Sequence, residues 1–74
     1  MYGYTAAHKT LPFDTVIEVT NPKSQKSAIV RINDRGPFIR GRELDLSYQA
    51  AKKIGLIQDG FGEVYIKIIK LGPE

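Results

Sequence analysis

One hexapeptide combines the residue types that acid catalysis requires. The segment NDRGPF at positions 33–38 places Asp34 and Arg35 beside a Gly-Pro pair, directly after a predicted strand. Such a corner is rigid and can hold one carboxylate in a fixed direction. Alternatively, Asp34 only accepts backbone N–H bonds in the turn and pairs with Arg35. Spacing alone favours this structural interpretation.

Two further residues could take part in chemistry. His8 is the only histidine, and its unperturbed pKa lies near neutrality, although a lone histidine is more often structural than catalytic. Asp45 lies two residues before the predicted helix cap, Ser47. It could bind the helix start or Arg42, so the sequence favours a structural role. Aromatic side chains could stack on sugar rings, but a small core also requires them.

Three segments have the alternation of half-buried strands. Residues 15–20 and 27–32 alternate apolar and polar side chains on either side of a polar turn, which predicts a hairpin. Residues 63–69 repeat the alternation, with Val64, Ile66 and Ile68 on one face. Between the hairpin and the helix, residues 33–45 are dense in Gly, Arg and Asp, and we predict a functional loop there.

One short helix is predicted after Ser47. The Ser47 hydroxyl can cap the first turn of a helix over residues 48–54, and Gly55 can supply a left-handed stop. About two turns are too few to be stable alone, so the helix must dock on the sheet. Its apolar face comprises Leu46, Ala50, Ala51 and Ile54.

Composition limits the remaining possibilities. The chain has 74 residues and no cysteine, which predicts one domain over residues 1–74 without disulfides. One histidine and no thiol cannot form a typical zinc site, so we expect no metal there. The net charge is +3, but the basic residues are dispersed, and nucleic-acid binding is not expected. The sequence shows neither a secretion signal nor an apolar run of 18 residues.

Three ordered motifs resemble one known family. The segments TAAHKTLPF at 5–13, VRINDRGPF at 30–38 and GRELDLS at 41–47, followed by an alanine-rich helix, closely resemble the rare lipoprotein A (RlpA) domain. The resemblance runs from about Thr5 to Ile69. It implies a small, mainly β, double-psi β-barrel, six-stranded in the family and related to expansin and barwin-like domains. Such a barrel would also stabilise a short chain, because closure removes free strand edges.

The family resemblance also implies a function. Members are bacterial, exported, often lipid-anchored outside this domain, and associated with peptidoglycan, which implies an extracytoplasmic location. Some are lytic transglycosylases that cleave glycan strands lacking stem peptides and leave 1,6-anhydro-N-acetylmuramic acid ends. Their functional histidine and aspartate match His8 and Asp34. We assign substrate binding to five further residues in the same motifs: Lys9, Asn33, Arg35, Phe38 and Asp45.

A transglycosylase of this kind needs only one acid. The C6 hydroxyl of the cleaved N-acetylmuramic acid residue attacks C1, so one carboxyl can protonate the bridging oxygen and then take the C6 proton. Acid catalysis with an internal nucleophile, which the family resemblance implies, needs no cofactor, so we expect none. Asp34 would take this double role, with His8 positioning it or the sugar. Arg31 and Arg35 oppose this role, because a nearby positive charge favours the ionised carboxylate.

The departure from the family lies at the N-terminus. Family members carry a first strand with a tryptophan-tyrosine motif and an acidic segment ahead of the residues that match Thr5, and this sequence contains no tryptophan. We therefore expect a shortened domain with an exposed strand edge, through which a homodimer could form. One alternative function is a non-catalytic wall-binding module that uses Arg35, Arg40 and Arg42. The other is a protein-interaction module without glycan affinity.

Overall fold

The molecule is mainly β, as the sequence predicts. The computed structural model describes residues 4–38, 43–56 and 63–73. The described strands form one five-stranded sheet in the order β4-β1-β3-β2-β5. The elements in chain order are β1 (Thr5–His8), β2 (Val16–Asn21), β3 (Lys26–Asp34), β4 (Leu44–Leu46), α1 (Tyr48–Lys53) and β5 (Tyr65–Lys70).

The predicted hairpin is confirmed. Strands β2 and β3 pair antiparallel from Val16 opposite Arg31 to Asn21 opposite Lys26. Their alternating apolar residues face the core, and Ile17 and Val30 are fully buried there as cross-strand neighbours. The hairpin therefore forms the centre of the sheet.

The prediction of a loop over residues 33–45 is wrong at both ends, where the structure has strand residues. Strand β3 continues to Asp34, and Leu44 already begins β4. Strands β3 and β4 both pair with β1, which lies between them in the sheet. Strand β1 runs parallel to β3 and antiparallel to β4. Strand β1 was not predicted, because its sequence TAAH lacks the large β-branched residues that mark the other strands. Backbone pairing, rather than local propensity, forms this part of the sheet.

The predicted helix is confirmed with its caps, although Leu46, predicted on its apolar face, belongs to β4. The Ser47 hydroxyl accepts the N–H of Ala50 at 3.3 Å, and Lys52 and Lys53 lie in the last turn of α1. Gly55 follows with φ +81, the left-handed conformation that glycine adopts at low cost. Ala50 is fully buried, so the helix docks its small face on the sheet.

The core lies between the helix and the inner face of the sheet. It comprises Ala6, Ile17, Val19, Ala28, Val30, Ile32, Ala50, Ile54 and Leu56. On β5, Ile66 and Ile68 pair with Val19 and Ile17, so they lie on the predicted face. Every residue of β5 is nevertheless exposed, because this strand lies at the edge of the sheet.

Candidate active site

Strand pairing brings two of the predicted site residues to either side of Ala7. Ala7 of β1 pairs with Asp34 of β3 on one side and with Asp45 of β4 on the other. The register between β1 and β3 shifts after Ala6, so Asn33 is the extra residue and Asp34 takes the place opposite Ala7. Neighbours in register share a face of the sheet, and two strand spacings separate their Cα atoms by about 10 Å. The small Ala7 side chain lies between the two acids.

His8 ends β1 and is held by the turn that follows it. Its Nδ1 accepts the backbone N–H groups of Thr10 and Leu11, both at 3.1 Å. A neutral imidazole with Nδ1 as acceptor carries its proton on Nε2. His8 can therefore donate a hydrogen bond to a ligand through Nε2, while Nδ1 fixes the orientation of the ring.

The surroundings of His8 favour the neutral imidazole. Burial is the largest cause that lowers its pKa from the usual 6.5; Glu43 acts in the opposite direction, and Arg35 and Lys9 lower the pKa further. Protonation of Nδ1 would also break both bonds from the turn. This arrangement suits a hydrogen-bond donor that positions a sugar or an acid.

Asp34 lies exposed at the rigid corner that the sequence predicts. Its Oδ1 accepts the backbone N–H of Arg35 at 2.8 Å, which is the turn contact of the structural interpretation. Gly36 follows with φ +123, and a Cβ there would lie 3.4 Å from the ring of Phe38. Only glycine adopts this backbone conformation readily, so any other residue at position 36 would strain the corner.

The two neighbouring arginines have other partners. The Nη1 of Arg31 pairs with Oδ1 of Asp14 at 2.8 Å. The Nη1 of Arg35 donates to the backbone oxygens of His8 at 3.2 Å and Leu11 at 2.6 Å. Neither described guanidinium contact is with the Asp34 carboxylate, so the predicted Arg35–Asp34 side-chain pair is replaced by a backbone bond.

The remaining predicted substrate contacts are distributed over the segments that carry Asp34 and His8. The side chain of Phe38 is 84% exposed, and Asn33 is exposed on β3, directly before Asp34. Lys9 is half-buried and close enough to influence His8. Asn33 and Phe38 thus lie on the segment that carries Asp34, and Lys9 lies near His8. Arg40 and Arg42, predicted for the wall-binding alternative, lie outside the described residues.

Sequence reasoning missed several residues that shape the site. Ala7 is the spacer between the two acids, and Glu43 is the carboxylate that acts on His8. Phe13 lies under the Arg35 guanidinium, whose central carbon is 4.5 Å from the ring centroid. Ala7 and Phe13 both lie within the TAAHKTLPF motif, which is the signal that could have marked them.

Within residues 4–38, 43–56 and 63–73, no cluster of three histidine or acidic residues could hold a metal ion. None of the helices described there is long and apolar enough to span a membrane.

The fold and the site together define a class of protein. It is a small mainly β domain of the double-psi β-barrel type, with an acid and a histidine at the ends of two paired strands. The family model described as lytic transglycolase matches residues 1–66, and the chain belongs to this family.

Individual relatives agree with this assignment. The chain is 57% identical over 68 residues to the endolytic peptidoglycan transglycosylase RlpA of Pasteurella multocida, covering 92% of this chain and 23% of that protein. For the RlpA of Vibrio cholerae the identity is 56% over 69 residues, covering 93% and 26%. For the probable RlpA of Aquifex aeolicus it is 52% over 71 residues, covering 96% and 31%. The chain thus spans about a quarter of the length of these curated relatives.

Proposed function

We propose that this chain is the catalytic domain of an endolytic peptidoglycan transglycosylase. It would cleave glycan strands that lack stem peptides and leave 1,6-anhydro-N-acetylmuramic acid ends. The observation that supports this most directly is the pairing of Ala7 with Asp34, which places the predicted acid next to the end of the strand that carries His8. The names of the relatives support peptidoglycan as the substrate and the cell envelope as the site of action.

The proposed reaction needs one carboxyl group and no water. The Asp34 carboxyl gives its proton to the bridging oxygen as the bond from C1 to that oxygen breaks. The C6 oxygen of the same sugar forms a new bond to C1, and its proton passes to the Asp34 carboxylate. The carboxyl group is thereby restored, and every atom of the strand remains in the products. His8 would orient the sugar through the proton on Nε2.

The other predicted contacts would hold the strand. The exposed ring of Phe38 can stack on a sugar face, and Asn33 can bind hydroxyl or acetamido groups. Removal of a stem peptide leaves a free lactyl carboxylate, which the ammonium group of Lys9 could bind. Asp45 would contact the strand from the far side of Ala7. We propose no metal or other cofactor for this reaction.

The test is release of anhydro sugars from amidase-stripped peptidoglycan, measured by mass spectrometry. We expect the wild type to release them and Asp34→Asn to lose at least about 100-fold in rate. Glu18→Gln is the matched control, since it removes one carboxylate from β2 on the far side of β3, and it should keep the wild-type rate. If neither wild type nor Asp34→Asn releases product while both sediment with the glycan, the chain is a binding module. If neither protein releases product and neither sediments with the glycan, the interaction-module alternative applies.

We also propose that two copies associate through β5. This strand pairs with β2 along one edge, and no other described strand pairs with it. Exposed apolar side chains along and after it, including Ile68, Ile69 and Leu71, support a surface that a second copy could cover. Any membrane attachment would come from a lipid anchor outside this chain.

A further inference from the structure

Arg35 connects the two segments that carry the predicted catalytic residues. It directly follows Asp34 at the end of β3, yet its guanidinium reaches the turn after β1. There, Nη1 donates to the backbone oxygens of His8 and Leu11 at 3.2 Å and 2.6 Å. These two carbonyls lie at the two ends of one turn. A single side chain therefore holds both ends of the turn against the end of β3.

An aromatic contact fixes the guanidinium from a second side. Its central carbon lies 4.5 Å from the centroid of the Phe13 ring, within the range of a cation–π interaction. Phe13 remains 46% exposed, so the stacked pair is at the surface beside Asp34. A planar guanidinium can stack and donate at the same time, whereas the compact ammonium of lysine does not reproduce both contacts.

The turn that Arg35 holds also orients the His8 imidazole. Its Nδ1 accepts the N–H groups of Thr10 and Leu11, so the direction of the ring depends on the backbone of this turn. At the other end of the connection, Oδ1 of Asp34 accepts the backbone N–H of Arg35. The backbone that orients His8 and the backbone that orients Asp34 are thus connected through the contacts of Arg35.

We propose that Arg35 is a positioning residue. It holds the turn from His8 to Leu11, and with it the His8 imidazole, in a fixed position relative to Asp34. This inference rests on the proposed function for its catalytic consequence, but not for its geometry. It differs from the sequence prediction that Arg35 binds substrate, because the described contacts of its guanidinium are with the protein itself.

The first experiment reads the His8 tautomer by NMR in the absence of substrate. His8 is the only histidine, so its ring ¹⁵N signals are unambiguous. The wild type should show one neutral tautomer, with the proton on Nε2. Arg35→Lys keeps the positive charge but loses the stacked, two-carbonyl contact, and it should show a mixture of tautomers. Arg31→Lys is the matched control, since Arg31 pairs with Asp14, and it should keep the single tautomer.

The second experiment separates kcat from KM on amidase-stripped glycan. Positioning predicts that Arg35→Lys lowers kcat by about 10- to 100-fold with little change in KM. Phe13→Leu keeps the arginine and removes the aromatic ring that stacks on it, so it should give a smaller loss of kcat. This variant tests the proposal if Arg35→Lys does not fold. A single His8 tautomer in Arg35→Lys, with a raised KM and unchanged kcat, would overturn the proposal in favour of substrate binding. If the wild type itself is inactive, the proposed function fails, while the tautomer measurement still decides the role of Arg35.

Discussion

His8 owes its orientation to backbone groups. Two N–H donors of the following turn point at Nδ1, and partial burial disfavours the charged ring. Together they favour the neutral imidazole, although the Glu43 carboxylate acts in the opposite direction. The stability of the domain should therefore depend on the protonation of this one residue.

We predict that His8 makes the domain less stable in mild acid. Its folded pKa lies below 6.5, so the unfolded chain binds the proton more tightly. The stabilisation is complete above the unfolded pKa and is lost as the pH falls through the folded pKa. Urea unfolding of wild type and His8→Asn between about pH 8 and about pH 5 measures this, because asparagine can accept the same N–H bonds without titrating. The free energy of unfolding should fall more steeply with acid in the wild type, and parallel curves would contradict the prediction.

At this scale the sequence reveals the chemical groups better than their contacts. His8 stands out because it is the only histidine, and Asp34 stands out because its motif is recognisable. The contact of Arg35 with His8 and Leu11 crosses 27 and 24 positions, and it depends on the parallel pairing of β1 with β3. No local pattern contains that information, so the sequence suggested a salt bridge to Asp34 instead.

Among the elements, the hairpin turn closes the C-terminal end of the helix. The Asn21 side chain donates to the backbone oxygen of Ile54 at 2.8 Å, and the Ser24 hydroxyl donates to the same oxygen at 2.8 Å. Asn21 also accepts the N–H of Lys23 at 3.0 Å and is almost fully buried. Helix ends leave carbonyl groups without partners within the helix, and this turn supplies the missing donors.

We predict that Asn21→Ala destabilises the domain by about 1–3 kcal/mol. The change removes one of two donors from the Ile54 carbonyl and the acceptor of the partly buried N–H of Lys23. Lys26→Ala is the matched control, since Lys26 pairs with Asn21 across the hairpin and its side chain is exposed, and it should change stability by less than about 0.5 kcal/mol. Thermal and urea unfolding measure both variants. Equal losses in the two would show that the Asn21 contact does not stabilise the helix end.

The elements that carry strong local signals were predicted well. Alternation marked β2, β3 and β5, and Ser47 and Gly55 marked the ends of α1. Strands β1 and β4 have only four and three residues, and each is stabilised by its neighbours in the sheet. Short strands of this kind depend on tertiary pairing, which single-sequence propensity does not contain.

For the whole molecule, the proposed association of two copies depends on the contrast between the buried central hairpin and the exposed edge strand β5. The inner strands bury their apolar residues, whereas Ile66 and Ile68 on β5 are 39% and 49% exposed although they face the core side. Lys67 and Lys70 on the same strand oppose pairing with a like-charged copy, so association should be weak and should increase with ionic strength.

We therefore predict a dimer whose population rises with protein concentration and with salt. Ile69 is 51% exposed on β5, and Ile69→Lys adds charge to the proposed contact without removing a buried side chain, so it should shift the molecule to monomer. Tyr48→Lys is the control, because Tyr48 is 66% exposed on α1, which packs against β3 and β4 at the other side of the sheet. Sedimentation velocity over a concentration series measures both. A monomer at every concentration in the wild type, or equal behaviour of the two variants, would show that the β5 edge does not bind a second copy.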